Sequence, residues 1–139
     1  FLKVDQHKVL SLVRHICAKF NVEIAEISIA VVDDSEIIQL NKQFLNKSHA
    51  TDVISFDLSE PGEEMRYFDM VVNAQKAYRQ GRKRSHAAES ELALYITHGL
   101  LHNLGFDDLK PEDAEIMHRQ EDEILEQLGF GKIYDTDVS

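Results

Sequence analysis

Thr97-His98-Gly99-Leu100-Leu101-His102-Asn103-Leu104-Gly105-Phe106-Asp107-Asp108 is the stretch on which the reading of this chain turns. His98 and His102 are four residues apart. Four residues of α-helix turn about 400°, so both imidazoles leave one face a turn apart and can grip one tetrahedral metal ion. Gly105 suits a left-handed helix end. A tight turn there can bring a residue a few places later back beneath the two histidines, and Asp108 has that offset. Two neutral nitrogens and one carboxylate oxygen would then leave a fourth position open for water, whose pKa a divalent ion pulls toward neutrality. His98, His102 and Asp108 are therefore the expected metal ligands and catalytic residues. They would serve one divalent ion per chain, with zinc expected first; manganese, iron and nickel also suit two histidines and a carboxylate.

Outward from this stretch, the apolar spacing predicts a long helix from about His86 to Leu104. Pro111 fits the first turn of a last helix that runs to Gly129, with Ile116, Met117, Ile124, Leu125 and Leu128 as its apolar face. Toward the N-terminus, residues 6–20 show helical spacing through Val9, Leu12, Val13, Ile16, Cys17 and Phe20. Residues 26–32, 51–58 and 67–72 read as strands. A helix capped by Asp34 or Ser35 runs to about Asn46. Pro61-Gly62 marks a loop over residues 59–66, and residues 74–80 begin a helix that ends near Gly81. The expected architecture is an α/β (α+β) single domain over residues 1–139. It has a small mixed β-sheet with helices packed on it, a zincin-like metal-binding helix, and a polar tail over 130–139.

Length and composition agree with this. The 139 residues are 43% hydrophobic and 29% charged, which is ordinary for one globular core. There is no apolar run long enough to span a membrane, and no export segment is visible. Cys17 is the single cysteine, which excludes an internal disulfide and fits a reducing compartment. The formal net charge of −10 argues against a general nucleic-acid binder, whose affinity rests on phosphate neutralisation. One basic stretch departs from this balance: Arg79, Arg82, Lys83 and Arg84, with Lys76 beside them. It reads equally well as a solvated loop or as a phosphate-contacting patch.

Two histidines at this spacing are by themselves a weak signal, because such pairs often only hydrogen-bond within a core. The glycine at +7 and the ligand at +10 add weight, because they match the metzincin pattern His-Glu-x-x-His-x-x-Gly-x-x-His. In that pattern the residue after the first histidine is the glutamate that acts as general base. Here it is Gly99, which cannot take a proton, so a protease reading is weakened.

The block His-Gly-Leu-Leu-His-Asn-Leu-Gly-Phe-Asp-Asp (98–108) resembles the core motif of the YbeY family, His-Gly-x-Leu-His-Leu-x-Gly-Tyr/Phe-Asp-His. Leu40-Asn41 followed by Thr51-Asp52-Val53-Ile54-Ser55-Phe56 is similar to a second family block. Asp69-Met70-Val71 stands where the family has Gly-Asp-Ile, and the closing helix ending in Leu128-Gly129 is similar too. The resemblance implies a metal-dependent, single-strand-specific endoribonuclease that acts in 16S-type ribosomal RNA maturation and ribosome quality control. It implies single-stranded or ribosomal RNA and the ribosome or its small-subunit proteins as partners, no membrane, and the cytoplasm as location. By the same resemblance His98 and His102 are zinc ligands and Asp108 stands in for the third histidine.

The chain departs from that pattern at defined positions. Asp108 replaces a histidine and lowers the positive charge of the site. Asn103 replaces a leucine, and Phe68 replaces the glycine before Asp69. Leu45 stands where the family has an arginine that would help hold RNA phosphate; Lys42 or Lys47 could supply a nearby cation, and Arg82 and Arg84 are further candidate RNA contacts. Glu91, seven before His98, is either a partner that orients His98 or a solvated glutamate near a helix start. Asp107 either orients a ligand or caps the turn. His118 is expected to pack or lie at the surface. The competing readings are a ribosome-associated metal-binding factor with little nuclease activity, and another metal-dependent hydrolase such as an atypical peptidase.

Overall fold

The structure, a computed structural model, describes residues 5–45, 50–62 and 64–130. Lys47, His49 and the expected tail from residue 131 onward lie outside the described residues. The elements run α1 (Gln6–Lys19), β1 (Ile24–Val32), α2 (Asp34–Leu40), β2 (Val53–Asp57), β3 (Arg66–Asn73), α3 (Ala74–Arg84), α4 (Ala88–Asn103) and α5 (Pro111–Gln127). The sheet order is β1-β3-β2, with β1 parallel and β2 antiparallel to the central β3. The expected α+β fold with a small mixed sheet is therefore present.

The centre of the molecule is α4. Leu92 to Thr97 and Gly99 to Leu101 are all buried. A helix apolar nearly all round belongs inside a fold, and α4 touches β2, β3, α1, α3 and α5. Each fully buried leucine or isoleucine there contributes about 1.5–3 kcal/mol. In β3 the alternate residues Phe68, Met70 and Val72 are buried, as a half-buried strand with a period of two requires. Gly99 sets how closely α4 can lie on this sheet: a Cβ there would meet Met70 Cε at 3.0 Å and Val53 Cγ2 at 3.1 Å.

α1 is capped by Asp5, which accepts from the backbone N–H groups of His7 and Lys8. It buries Leu12, Val13 and Ile16, while Cys17 is only partly buried. Lys19 and Glu123 pair at 2.9 Å and tie α1 to α5.

Several element ends differ from the sequence reading. The cap of α2 is Asp33, whose carboxylate accepts from Glu36 N. α2 stops at Leu40 and a π-helical turn over Asn41–Leu45 follows, where one continuous helix was expected. α3 does not end at Gly81. It continues to Arg84 and closes on Ser85 in the left-handed conformation, φ 61°. Gly81 serves a close backbone crossing instead: a Cβ there would lie 2.9 Å from the carbonyl oxygen of His86 and 3.2 Å from Ala88 N. The basic stretch thus lies within a helix, with Arg82, Lys83 and Arg84 in its last turn, and is not a loop. Its cations also complement the carbonyl end of the helix dipole.

Candidate metal centre

His98 and His102 project from the last turns of α4, and the end of that helix brings in the rest. Gly105 has φ +104°. Gly105 N donates to the His102 carbonyl at 3.1 Å and Phe106 N to the Leu101 carbonyl at 3.0 Å. This is the paired hydrogen-bond pattern of a Schellman end, which needs a residue tolerant of positive φ. Phe106 is then held against Phe20, ring centroids 5.3 Å apart, and its carbonyl accepts from His102 Nδ1 at 3.1 Å. Asp107 accepts from Leu109 N at 3.0 Å, a cap on the turn. The chain has thereby doubled back, and Asp108 faces the histidines.

Among the described residues, His98, His102 and Asp108 form a group whose ligand atoms all lie within 4.8 Å of one another. The two Nε2 atoms are 3.1 Å apart. Asp108 places Oδ2 3.7 Å from His98 Nε2 and Oδ1 3.7 Å from His102 Nε2. Two ligands at tetrahedral zinc distances from one ion sit about 3.3 Å apart, so the observed separations bracket that value. The tautomers agree. A carbonyl only accepts, so His102 Nδ1 carries its proton, and His98 Nδ1 faces the Glu121 carboxylate at 3.0 Å. With the Nδ1 atoms occupied by the Phe106 carbonyl and Glu121, both Nε2 atoms face one point beside the Asp108 carboxylate, where either a shared proton or a cation relieves their repulsion; in their neutral forms the donor set fits a divalent ion.

Burial falls across the group. The side chains are 19% exposed at His98 and 34% at both His102 and Asp108, so one side opens to solvent. Burial of the His98 ring works against its charged form, but the hydrogen bond and charge of Glu121, with Asp52 and Asp108 beyond it, outweigh that and hold its pKa above the ordinary histidine value.

The other singled-out residues are placed as follows. Glu91 is neither a partner of His98 nor solvated: it is fully buried, and its Oε1 accepts from Arg84 Nη1 at 3.3 Å. Seven residues along a helix separate it from His98 by two turns, so its carboxylate lies beyond reach of that ring. Burial raises the pKa of Glu91 against the opposing charges of Arg84 and His86. Arg84 is accordingly committed to a buried carboxylate, although it also lines a cavity with Asp52, Lys76, Gln80, Tyr95, His98 and Glu121. Arg79 pairs with Asp34, and Arg82 lies over the Tyr78 ring, 5.8 Å from its centroid. Lys42 is exposed on the π-helical turn, and Leu45 beside it is 41% exposed.

Glu121 was not singled out by the sequence reading, yet it is the residue bonded to His98. A signal existed. Met117, Glu121, Ile124 and Leu128 follow one another at helical spacing, so a carboxylate interrupts the apolar stripe of α5. Glu121 is 1% exposed.

Comparison with known proteins gives a consistent result. A sequence model of the family described as Endoribonuclease YbeY matches residues 2–129. Among curated relatives, an Endoribonuclease YbeY of Anaeromyxobacter sp. is 44% identical over 107 residues, which cover 76% of this chain and 56% of that protein. One of Caldicellulosiruptor bescii is 33% identical over 143 residues, covering 91% of this chain and 90% of that protein. The solution structure of a Thermotoga maritima protein matches with a TM-score of 0.59 at 21% identity, covering 99% of this chain and 93% of that one. That last likeness concerns the fold alone.

Proposed function

Because this chain belongs to the YbeY endoribonuclease family, we propose that it is a metal-dependent endoribonuclease that cuts single-stranded RNA at an ion held by His98, His102 and Asp108. The observation that carries this reading is the convergence of two imidazole lone pairs and a carboxylate on one point, with separations of 3.1 and 3.7 Å. Zinc is the ion that this tetrahedral set suits best. When bound, it would polarise a phosphoryl oxygen and acidify water at its open position.

The chain's own residues do the rest. The Phe106 carbonyl and the Glu121 carboxylate lock the two rings, so their Nε2 atoms stay aimed at the ion. Asp108 contributes a negative charge and reduces the charge of the loaded site. The solvent-open side at His102 and Asp108 lets a long strand pass across the centre, as an internal cut in a polymer requires. Gly99 takes no part in proton transfer: it is packed between Met70 and Val53, and a glutamate there would have to displace both of those side chains. This supports a nuclease over a peptidase with a glutamate base.

Ribosomal RNA of the 16S type is the proposed substrate, with ribosome quality control as the context, small-subunit proteins as partners and the cytoplasm as the place. Lys42, Lys47 and Arg82 are the proposed backbone contacts. Exposed Leu45, where the resemblance leads one to expect arginine, favours a second reading, a ribosome-associated factor with weak cleavage.

The test is metal content of native protein together with cleavage of single-stranded ribosomal RNA, in wild type, His102→Ala and Asp108→Ala. About one metal per chain, lost with cleavage in both variants, is expected. Metal without cleavage selects the second reading, and no metal in wild type refutes the centre.

A further inference from the structure

We propose that Glu121 and His118 on α5 act as a positioning pair for His98, and that the geometry of the metal centre depends on how α5 docks against α4. This rests on the metal-centre reading above. Glu121 Oε2 accepts from His98 Nδ1 at 3.0 Å and Oε1 from His118 Nδ1 at 2.7 Å. Both oxygens of a carboxylate that is 1% exposed are therefore taken by imidazole nitrogens. Burying a carboxylate inside an apolar stripe is costly unless it is paired and hydrogen-bonded. The buried charge has a specific object, the ring of His98.

The two histidine ligands are fixed in different ways. His102 is held by a backbone carbonyl of its own helix end, so forming the turn at Gly105 is enough to orient it. His98 is held by a side chain 23 residues further on, so its orientation exists only once α5 is seated. A carboxylate on the far ring nitrogen fixes the tautomer, aims the near nitrogen and makes it a stronger donor to a metal. His118 secures the carboxylate in turn. Its side chain is 21% exposed, which places it between the buried carboxylate and the cavity shared with Asp52, Lys76, Gln80 and Arg84.

Zinc affinity by competition with a chromogenic chelator tests this, alongside visible absorption of the Co2+-loaded protein and urea unfolding of the metal-free protein. Glu121→Gln should lose roughly 10–100-fold in zinc affinity and shift the Co2+ bands. His118→Ala should lose less, roughly three- to tenfold, and His118→Gln, which restores an N–H donor, should recover most of it. Glu115→Gln, on an exposed residue of the same helix, should match wild type, and His102→Ala should abolish binding. A merely structural role would lower urea stability and leave affinity and spectrum of the folded protein unchanged. If Glu121→Gln fails to fold, His118→Ala on a partly exposed residue carries the test. Loss of zinc in His102→Ala with wild-type affinity and spectrum in Glu121→Gln or His118→Ala overturns the positioning pair while the centre stands. No zinc in wild type, or full binding in His102→Ala, overturns the centre and this proposal with it.

Discussion

Replacing Arg84 by alanine decides whether this cation is a structural counter-charge or an RNA contact. Glu91 is fully buried, and its carboxylate lies 3.3 Å from the Arg84 guanidinium, whose side chain is 21% exposed. With charge centres about 4 Å apart and an effective dielectric of about 20, the attraction is about 4 kcal/mol. Without the guanidinium the buried carboxyl takes up a proton instead. Holding a carboxyl of ordinary pKa about 4.3 in its neutral form costs about 4 kcal/mol near pH 7 and about 1 kcal/mol near pH 5. Because burial already raises the folded pKa of Glu91, the wild type carries part of this cost, and the expected destabilisation near pH 7 is at most about 3–4 kcal/mol, the upper limit lying in the range for breaking a buried pair.

The pH dependence has a definite sign. Burial already raises the pKa of Glu91 in the folded chain, so the folded state holds this proton more tightly than the unfolded one. Its contribution is most favourable below the unfolded value and is lost as pH rises through the folded value. Arg84→Ala raises the folded value further and extends that loss toward neutrality. Urea unfolding of metal-free protein near pH 5 and pH 7 should show the variant's deficit growing from below about 1 kcal/mol toward an upper limit of about 3–4 kcal/mol. In a Glu91→Gln background the deficit should shrink and lose its pH dependence. A deficit below about 1 kcal/mol at both pH values, with RNA affinity falling instead, would refute the reasoning and return Arg84 to the RNA-contacting side.

Gly81→Ala should destabilise by about 1–3 kcal/mol in thermal or urea unfolding, because the added methyl meets the backbone at residues 86–88, which cannot yield as a flexible side chain can. The gain of about 1 kcal/mol in helix propensity would only partly offset it. Asn103→Leu should stabilise by about 1–2 kcal/mol in urea unfolding, because Asn103 Nδ2 is buried without a hydrogen-bond partner among the described residues; a loss of stability would show that this amide is satisfied. Leu45→Arg, at a position 41% exposed, should leave stability within about 0.5 kcal/mol. It should raise single-stranded RNA cleavage about tenfold or more if one charge-assisted phosphate contact is restored; unchanged cleavage would mean that another residue supplies that cation.

The local part of the site was legible because it is local. His98 and His102 share a helix face by periodicity alone, and Gly105 announced the left-handed end that returns Asp108. Hydrophobic spacing likewise placed α1, α4, α5 and the strands, since 3.6 and 2.0 periodicities come from backbone geometry and need no knowledge of neighbours.

What tertiary structure decided is whatever depends on residues distant in the chain. Gly81 looked like a helix end because glycine favours both helix ends and close approaches; only the crossing of the 86–88 segment shows that the second reason applies. Gly99 looked like the absence of a base, and packing shows that it is a contact with Met70 and Val53. Along the sequence only Glu91 was weighed as a partner of His98, and Glu121, a glutamate on the last helix, was passed over. Docking of α3 gives Glu91 to Arg84, and docking of α5 gives Glu121 to His98. A buried charge is tolerated only where a partner meets it, and which partner meets it is settled by how helices pack rather than by the spacing along any one of them.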